Sequence, residues 1–199
     1  MRIHARSSVA ILALAVLVSA VALWPTGALA VADPATDSMG IYFDAAANVN
    51  CTAAGLFQPL TAYLVLANPS AAIDGYACTV TRTGAAHTVQ GDIGSGADSD
   101  ASANGYVVSG FSGAITGGSL VLRTQTLMLM GSGALNFLVG PPGGPVILPN
   151  DLPLVHRDGA WVRCGVASGN VSAPVATING ACPVPEEGAT FGALKALFR

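Results

Sequence analysis

The chain has 199 residues, of which 52% are apolar and only 10% charged, with a formal net charge of −3. So few Lys and Arg leave no electrostatic footprint for nucleic acid and no basic patch for an anionic membrane. The scarcity of charged residues, beside 24 glycines and abundant Ala, Ser, Thr and Val, favours strands and turns over helices.

In chain order, Arg2 and Arg6 precede a charge-free apolar run of 15 residues, Val9 to Leu23, which Trp24-Pro25-Thr26-Gly27 breaks. Ala28-Leu29-Ala30 then gives a small-x-small pattern. Residues 1–30 are therefore expected to be a signal peptide, cut after Ala30. The run is shorter than the roughly 20 residues a spanning helix needs, and no Cys follows the cut, as a lipoprotein would require. Cleavage leaves 169 residues with 6 basic side chains against 11 acidic ones, a net charge of −5. That length suits one domain with a sizeable core, placed in the periplasm or outside the cell, with no stable membrane insertion after cleavage.

Residues 31–39 read as a flexible lead-in and 40–182 as the folded domain. Gly40 to Asp44 is a first strand, and Ala45 to Pro59 a loop pinned by Cys51. Leu60 to Ala67 is apolar on both parities, as a central strand covered on both faces would be. Ile73 to Arg82 alternates, with Tyr76, Cys78 and Val80 on one face. His87 to Ile93 is expected to pair back with Val89 and Ile93 inward. After the polar loop Gly94 to Gly105, Tyr106 to Phe111 resumes strand character. Ser119 to Met130 is the longest strand: Leu120 and Leu122 should face the core, Arg123 and Gln125 water, and Leu127 to Met130 should be covered on both sides. Ala134 to Val139 is another strand, followed by the connector Gly140 to Pro145, whose prolines exclude a central strand. Asp158-Gly159, between apolar neighbours, signals a type I′ hairpin within Val155 to Val166. Val175 to Asn179 is the last strand. Short strands with turn signals every 8 to 12 residues or so point to an all-β fold, a single β-sandwich of immunoglobulin-like or cohesin-like architecture. Residues 183–199 read as a linker and a short C-terminal helix capped by Thr190. Its apolar stripe, Phe191, Leu194, Leu197 and Phe198, would either dock on an open sheet edge or be recognised by another protein.

An even count of four cysteines in an exported chain reads as two disulfides. Three connectivities are open. Locality favours Cys51–Cys78 and Cys164–Cys182, each worth on the order of 3 kcal/mol in the chain-entropy model. No pair has the spacing of a zinc knuckle, and no C-x-x-C is present.

Chemistry-bearing patterns are sparse. There is no G-x-S-x-G; Gly110-Phe111-Ser112-Gly113 comes nearest. His87 and His156 read as strand-end histidines. The acidic residues cluster in loops, away from mid-strand positions where a rigid acid or base would stand. A loop opening at Asp98 carries Ala103 and Ser109 where an EF-hand needs Gly and Glu. Asp92, Asp98, Asp100 and Asn104 remain candidates for an irregular Ca2+ site, set against the plainer reading of a solvated loop. Tyr42, Tyr63, Tyr76 and Tyr106 read as core, while Trp161 after the hairpin turn is a candidate exposed ring. No other cofactor is implied. The expectation is an exported, non-catalytic binding or structural module for a protein or glycan partner at the cell exterior. The alternative is a secreted hydrolase.

Two stretches carry a resemblance. Gly40-Ile41-Tyr42-Phe43-Asp44 precedes Asn50-Cys51, and Pro174 to Cys182 leads into Ala189-Thr190-Phe191-Gly192-Ala193-Leu194-Lys195-Ala196-Leu197-Phe198-Arg199. Together they resemble a group of uncharacterised exported proteins of environmental bacteria, which open with a GxYFD-like strand and end close to ATWGxxKALYR. Phe191 and Phe198 stand where that ending has Trp and Tyr. The resemblance implies an exported bacterial protein and assigns no functional residue.

Overall fold

The computed structural model describes residues 35–143 and 151–183. The expected signal peptide and the C-terminal helix with Phe191, Leu194, Leu197 and Phe198 lie outside the described residues. Within them the chain is all-β. Its strands are β1 (Ser38–Tyr42), β2 (Cys51–Thr52), β3 (Pro59–Ala67), β4 (Gly75–Gly84), β5 (His87–Gly94), β6 (Ala97–Asp98) and β7 (Gly105–Ser109). There follow β8 (Ser119–Leu129), β9 (Leu135–Gly140), β10 (Leu154–Arg157), β11 (Ala160–Arg163), β12 (Gly165–Val166) and β13 (Ala176–Ile178).

They form two mixed sheets. One runs β12-β1-β3-β8-β5; the other runs β11-β10-β4-β9-β13-β2, with β7 on β4 and β6 on β7. β1 pairs with β12, and β2 with β13, in parallel; all other pairs are antiparallel. β7 takes one edge of β4, so β10 (opposite Gly75 to Ala77) and β9 (opposite Thr79 to Gly84) share the other edge end to end. Period-2 alternation sends Met39, Ile41, Leu64, Leu66, Leu127 and Leu129 of the first sheet into one core with Tyr76, Val80, Leu135, Phe137, Val139 and Ile178 of the second. Each large side chain so buried contributes about 1.5–3 kcal/mol.

The Asp158-Gly159 turn forms as expected. Both residues have positive φ (52° and 76°), the requirement of a type I′ turn. β3 is central, and Val65, Leu66 and Ala67 are buried on both its faces.

Several expectations are corrected. The end of the lead-in is not loose: Ser38 and Met39 are fully buried in β1, because β12 adds alongside them in parallel. Arg123 and Gln125 do not face water. A register shift in the β3–β8 pairing sets Leu64 opposite Arg123 and Val65 opposite Val121, so Leu122 is the extra residue. This bulge resets the alternation: Leu120 and Leu122 stay in the core as expected, while Arg123 and Gln125 also turn between the sheets. A second shift, between Val89 and Gly91, does the same on β5. Asp92 instead of Ile93 then points inward. Ile93 is 75% exposed, and Val89, at the open edge, 42%. The end of β8 is covered on one side only: Leu127 and Leu129 are buried, Met128 half-buried and Met130 exposed.

The local disulfide pairing is also corrected. Cys51 is bonded to Cys182, and Cys78 and Cys164 are free and buried. β4 and β2 are separated by β9 and β13, which puts Cys78 at least three strand spacings, roughly 14 Å or more, from Cys51. A disulfide spans no more than about 7 Å between Cα atoms. Cys182 reaches Cys51 because β13 lies beside β2 and the chain turns back at Asn179.

Candidate functional site

On the outer face of the second sheet, β7, β4, β10 and β11 lie side by side. Their registers set Ser109, Gly75, His156 and Trp161 in one row. The hairpin turn fixes the His156–Trp161 pairing; the antiparallel registers of β4 with β10 and β7 supply the rest. Gly75 makes the floor. A Cβ there would lie 2.6 Å from the Val108 carbonyl oxygen and 3.6 Å from the Trp161 ring. Any side chain at 75 would fill the row's centre. The result is an open cleft of about 250 Å3 lined by Asp74, Gly75, Ser109, Gly110, His156 and Trp161.

The polar groups of the cleft are fixed from several sides. The Asp74 amide donates to the His156 carbonyl (3.0 Å), and the Asp74 carbonyl accepts from the Phe111 amide (2.8 Å). The Asp74 carboxylate sits 2.5 Å from His156 Nδ1. A carboxylate only accepts, so Nδ1 carries the proton and Nε2 is left for another partner. Trp161 packs edge-on against the imidazole, with centroids 5.0 Å apart. The arrangement can offer an indole surface, a carboxylate, an imidazole and a hydroxyl to one small ligand.

It does not form a nucleophile–base relay. Among the described residues no hydrogen bond joins Ser109 to His156; two strand spacings, about 10 Å, separate their Cα positions. The Asp74 side chain is 63% exposed, whereas the carboxylate of such a relay is buried.

The calcium candidates lie elsewhere, and three of the four, Asp92, Asp98 and Asn104, are partnered by arginine side chains. Asp92 accepts from Arg123 Nε (2.7 Å) and from the Tyr106 hydroxyl (2.7 Å). Asp98 Oδ1 accepts from the amides of Asp100 and Val107, and Oδ2 lies 3.6 Å from Arg123. Asp100 accepts from the Ser102 amide, and Asn104 from Arg82 Nη1. Among the described residues no group of three His, Cys, Asp or Glu is placed to hold a metal ion. In this structure the four candidates belong to a polar network, which continues inward. Gln125 Nε2 donates to the Tyr106 hydroxyl (2.7 Å), and Gln125 Oε1 accepts from Arg82 Nη2 (2.6 Å). Arg123 stacks 4.6 Å over the Tyr106 ring. Burial, then the Asp92 carboxylate, pushes the Tyr106 phenol well up. Burial works most strongly against charge on Arg123, but Asp92 and Tyr76 together outweigh it and raise its pKa.

The free thiols offer no reactive centre. Burial pushes Cys78 far up, and burial with the nearby Asp37 carboxylate pushes Cys164 up to about 12. The sequence marks His156 and Trp161 separately. Their pairing was readable from the turn, since a two-residue loop at Asp158-Gly159 sets position 156 opposite 161. Asp74, Gly75 and Ser109 carried no such signal, because their alignment depends on which strands flank β4.

No protein-family model, curated protein or solved structure matches the chain.

Proposed function

We propose that the chain is an exported β-sandwich that acts as a non-catalytic binding module at or outside a bacterial cell envelope, with the Asp74–His156–Trp161 cleft as its ligand surface. The observation that carries this is the cleft: an aromatic ring beside fixed polar groups on a row with a glycine floor, open to solvent and without a relay to a nucleophile. Export is supported by the pattern of residues 1–30. The Cys51–Cys182 disulfide suits an oxidising compartment. No helix among the described residues is long and apolar enough to cross a membrane. Residues 183–199 would add the short helix.

A secreted hydrolase is the second reading, favoured by the Asp74–His156 pair and by Ser109 in the same row. One set of variants separates the two. Wild-type protein should cosediment with isolated cell-envelope material; Trp161→Ala should lose this while keeping its melting temperature within a few degrees, and Asp74→Ala should weaken it. Neither wild type nor variants should turn over chromogenic esters or glycosides. Turnover abolished by Ser109→Ala would establish the hydrolase. Cosedimentation unchanged in Trp161→Ala would overturn the cleft as the binding surface.

A further inference from the structure

We infer that the cleft selects an uncharged pyranose ring, the terminal or internal unit of a neutral glycan, and rejects anionic sugars. The inference rests on the binding-module reading above and adds the class of ligand.

Size comes first. A cleft of about 250 Å3 has room for one six-membered sugar ring with its hydroxyls and little more. Its walls are chemically unlike each other. On one side Trp161 lies over the Gly75 position, its ring 3.6 Å from where a Cβ would stand, so the indole walls the floor without a side chain intervening. On the other side are the Ser109 hydroxyl and the Gly110 backbone. A pyranose has matching asymmetry: axial C–H groups make an apolar face that packs on an aromatic ring, and equatorial hydroxyls donate and accept around its rim. Tryptophan offers a large flat apolar surface for such a face.

The polar groups suit hydroxyls. A sugar hydroxyl donates once and accepts twice. The Asp74 carboxylate, with one oxygen on His156 and the side chain 63% exposed, accepts from a donor. Nε2 of His156 and the Ser109 hydroxyl complete a set that needs no charge on the ligand.

Charge supplies the selectivity. Among the described residues that line the cleft, Asp74 is the one carboxylate and none is Lys or Arg. The basic side chains near this face are engaged elsewhere: Arg157 with Asp37 (2.9 Å) and Arg163 with Asp151 (2.8 Å). A uronic acid, a sulfated sugar or a phosphate would meet the negative charge of Asp74 and find no guanidinium in the lining to pair with. A neutral ring avoids that repulsion, and Asp74 acts as the selectivity residue.

The test uses the full chain carrying Trp24→Phe, so that Trp161 is the sole indole and its fluorescence reports the cleft. Methyl glucoside, methyl galactoside and N-acetylglucosamine are titrated beside glucuronate and glucose 6-phosphate. At least one neutral sugar should shift Trp161 emission saturably in the millimolar range, with glucuronate at least 10-fold weaker. Asp74→Asn keeps an acceptor for His156 but removes the charge. It should narrow the gap between glucose and glucuronate several-fold, and added salt should narrow it in the wild type but not in the variant. Failure of every neutral sugar, or equal binding of glucuronate by the wild type, would overturn the inference. If envelope cosedimentation is still lost in Trp161→Ala while no sugar binds, the ligand class fails and the binding module stands. If Trp161→Ala leaves cosedimentation intact, the module reading fails by itself.

Discussion

Asp37 binds more of the molecule together than its position in the chain suggests. Its Oδ1 accepts from the Ser70 amide (2.9 Å), and its Oδ2 from the Ser70 hydroxyl (2.6 Å) and Arg157 Nη1 (2.9 Å). Its carbonyl accepts from the Gly165 amide. One residue thus ties the start of β1 to the β3–β4 turn, the β10–β11 hairpin and β12. Burial pushes its carboxyl up, but the bonds from Ser70 and then Arg157 outweigh it and hold the pKa below the usual value. A depressed carboxylate stabilises the fold above its unfolded pKa of about 3.9 and loses that contribution as pH falls through the folded value. Asp37→Asn should therefore cost about 2 kcal/mol at pH 7, with the gap to wild type starting to close below about pH 4. Melting temperatures from pH 7 to 2 check this; a constant gap over that range would refute it. Nothing in the sequence marked Asp37, because its partners come from three distant segments. The thiols give a second test at this scale. With their pKa values raised by burial, Cys78 and Cys164 should resist iodoacetamide at pH 8 in native protein and react in denaturant without reductant. Peptide mapping should then find one cross-link, Cys51–Cys182. Rapid alkylation of the native chain would contradict the burial.

Strands existed where the alternation put them, and the hairpin at Asp158-Gly159 had its register written in two residues. What the alternation could not carry was phase across an irregularity. A single extra residue, Leu122 on β8 or Gln90 on β5, moves every later side chain to the other face. Polar residues therefore turn inward, where Arg82, Gln125, Tyr106, Asp92 and Arg123 bond to one another in a chain, and an apolar one, Ile93, turns outward. Two substitutions distinguish this from uninterrupted alternation. Gln125→Leu removes the link between Arg82 and Tyr106 and should cost about 1–3 kcal/mol despite adding an apolar side chain. Ile93→Lys, on an exposed edge strand, should stay within about 0.5 kcal/mol of wild type and reduce self-association at high concentration. Denaturant melts of both variants give the comparison. The opposite ranking is what an unbulged strand would produce, with Gln125 in water and Ile93 in the core.

At the scale of the whole molecule, the chain's organisation is set by what lies next to β2. Local pairing of cysteines is a reasonable guess for antiparallel neighbours, which are close in sequence. Here the neighbour is parallel and comes from the other end of the chain, with Thr177 opposite Cys51. Only the topology, which composition and spacing do not encode, brings Cys182 within reach. The junction is held three ways. Asn179 bonds both backbone groups of Ala54 at 2.9 Å, Asn50 Nδ2 donates to the Pro183 carbonyl (3.1 Å), and the disulfide joins residues 131 apart in sequence. Closing so long a loop restricts the unfolded chain by about 5 kcal/mol in the chain-entropy model, against about 3 for either local pairing. The double variant Cys51→Ala/Cys182→Ala should therefore melt on the order of 15 °C lower than wild type. Amide exchange should quicken first in β2 and β13, the edge that the bond secures. The cleft lies on β7, β4, β10 and β11, away from that edge in the sheet order, so ligand affinity below the lowered melting temperature should be unchanged. A loss under about 1 kcal/mol would mean that the unfolded chain already keeps these segments together without the bond. A loss of affinity in still-folded protein would mean that β2 and the cleft are mechanically one unit.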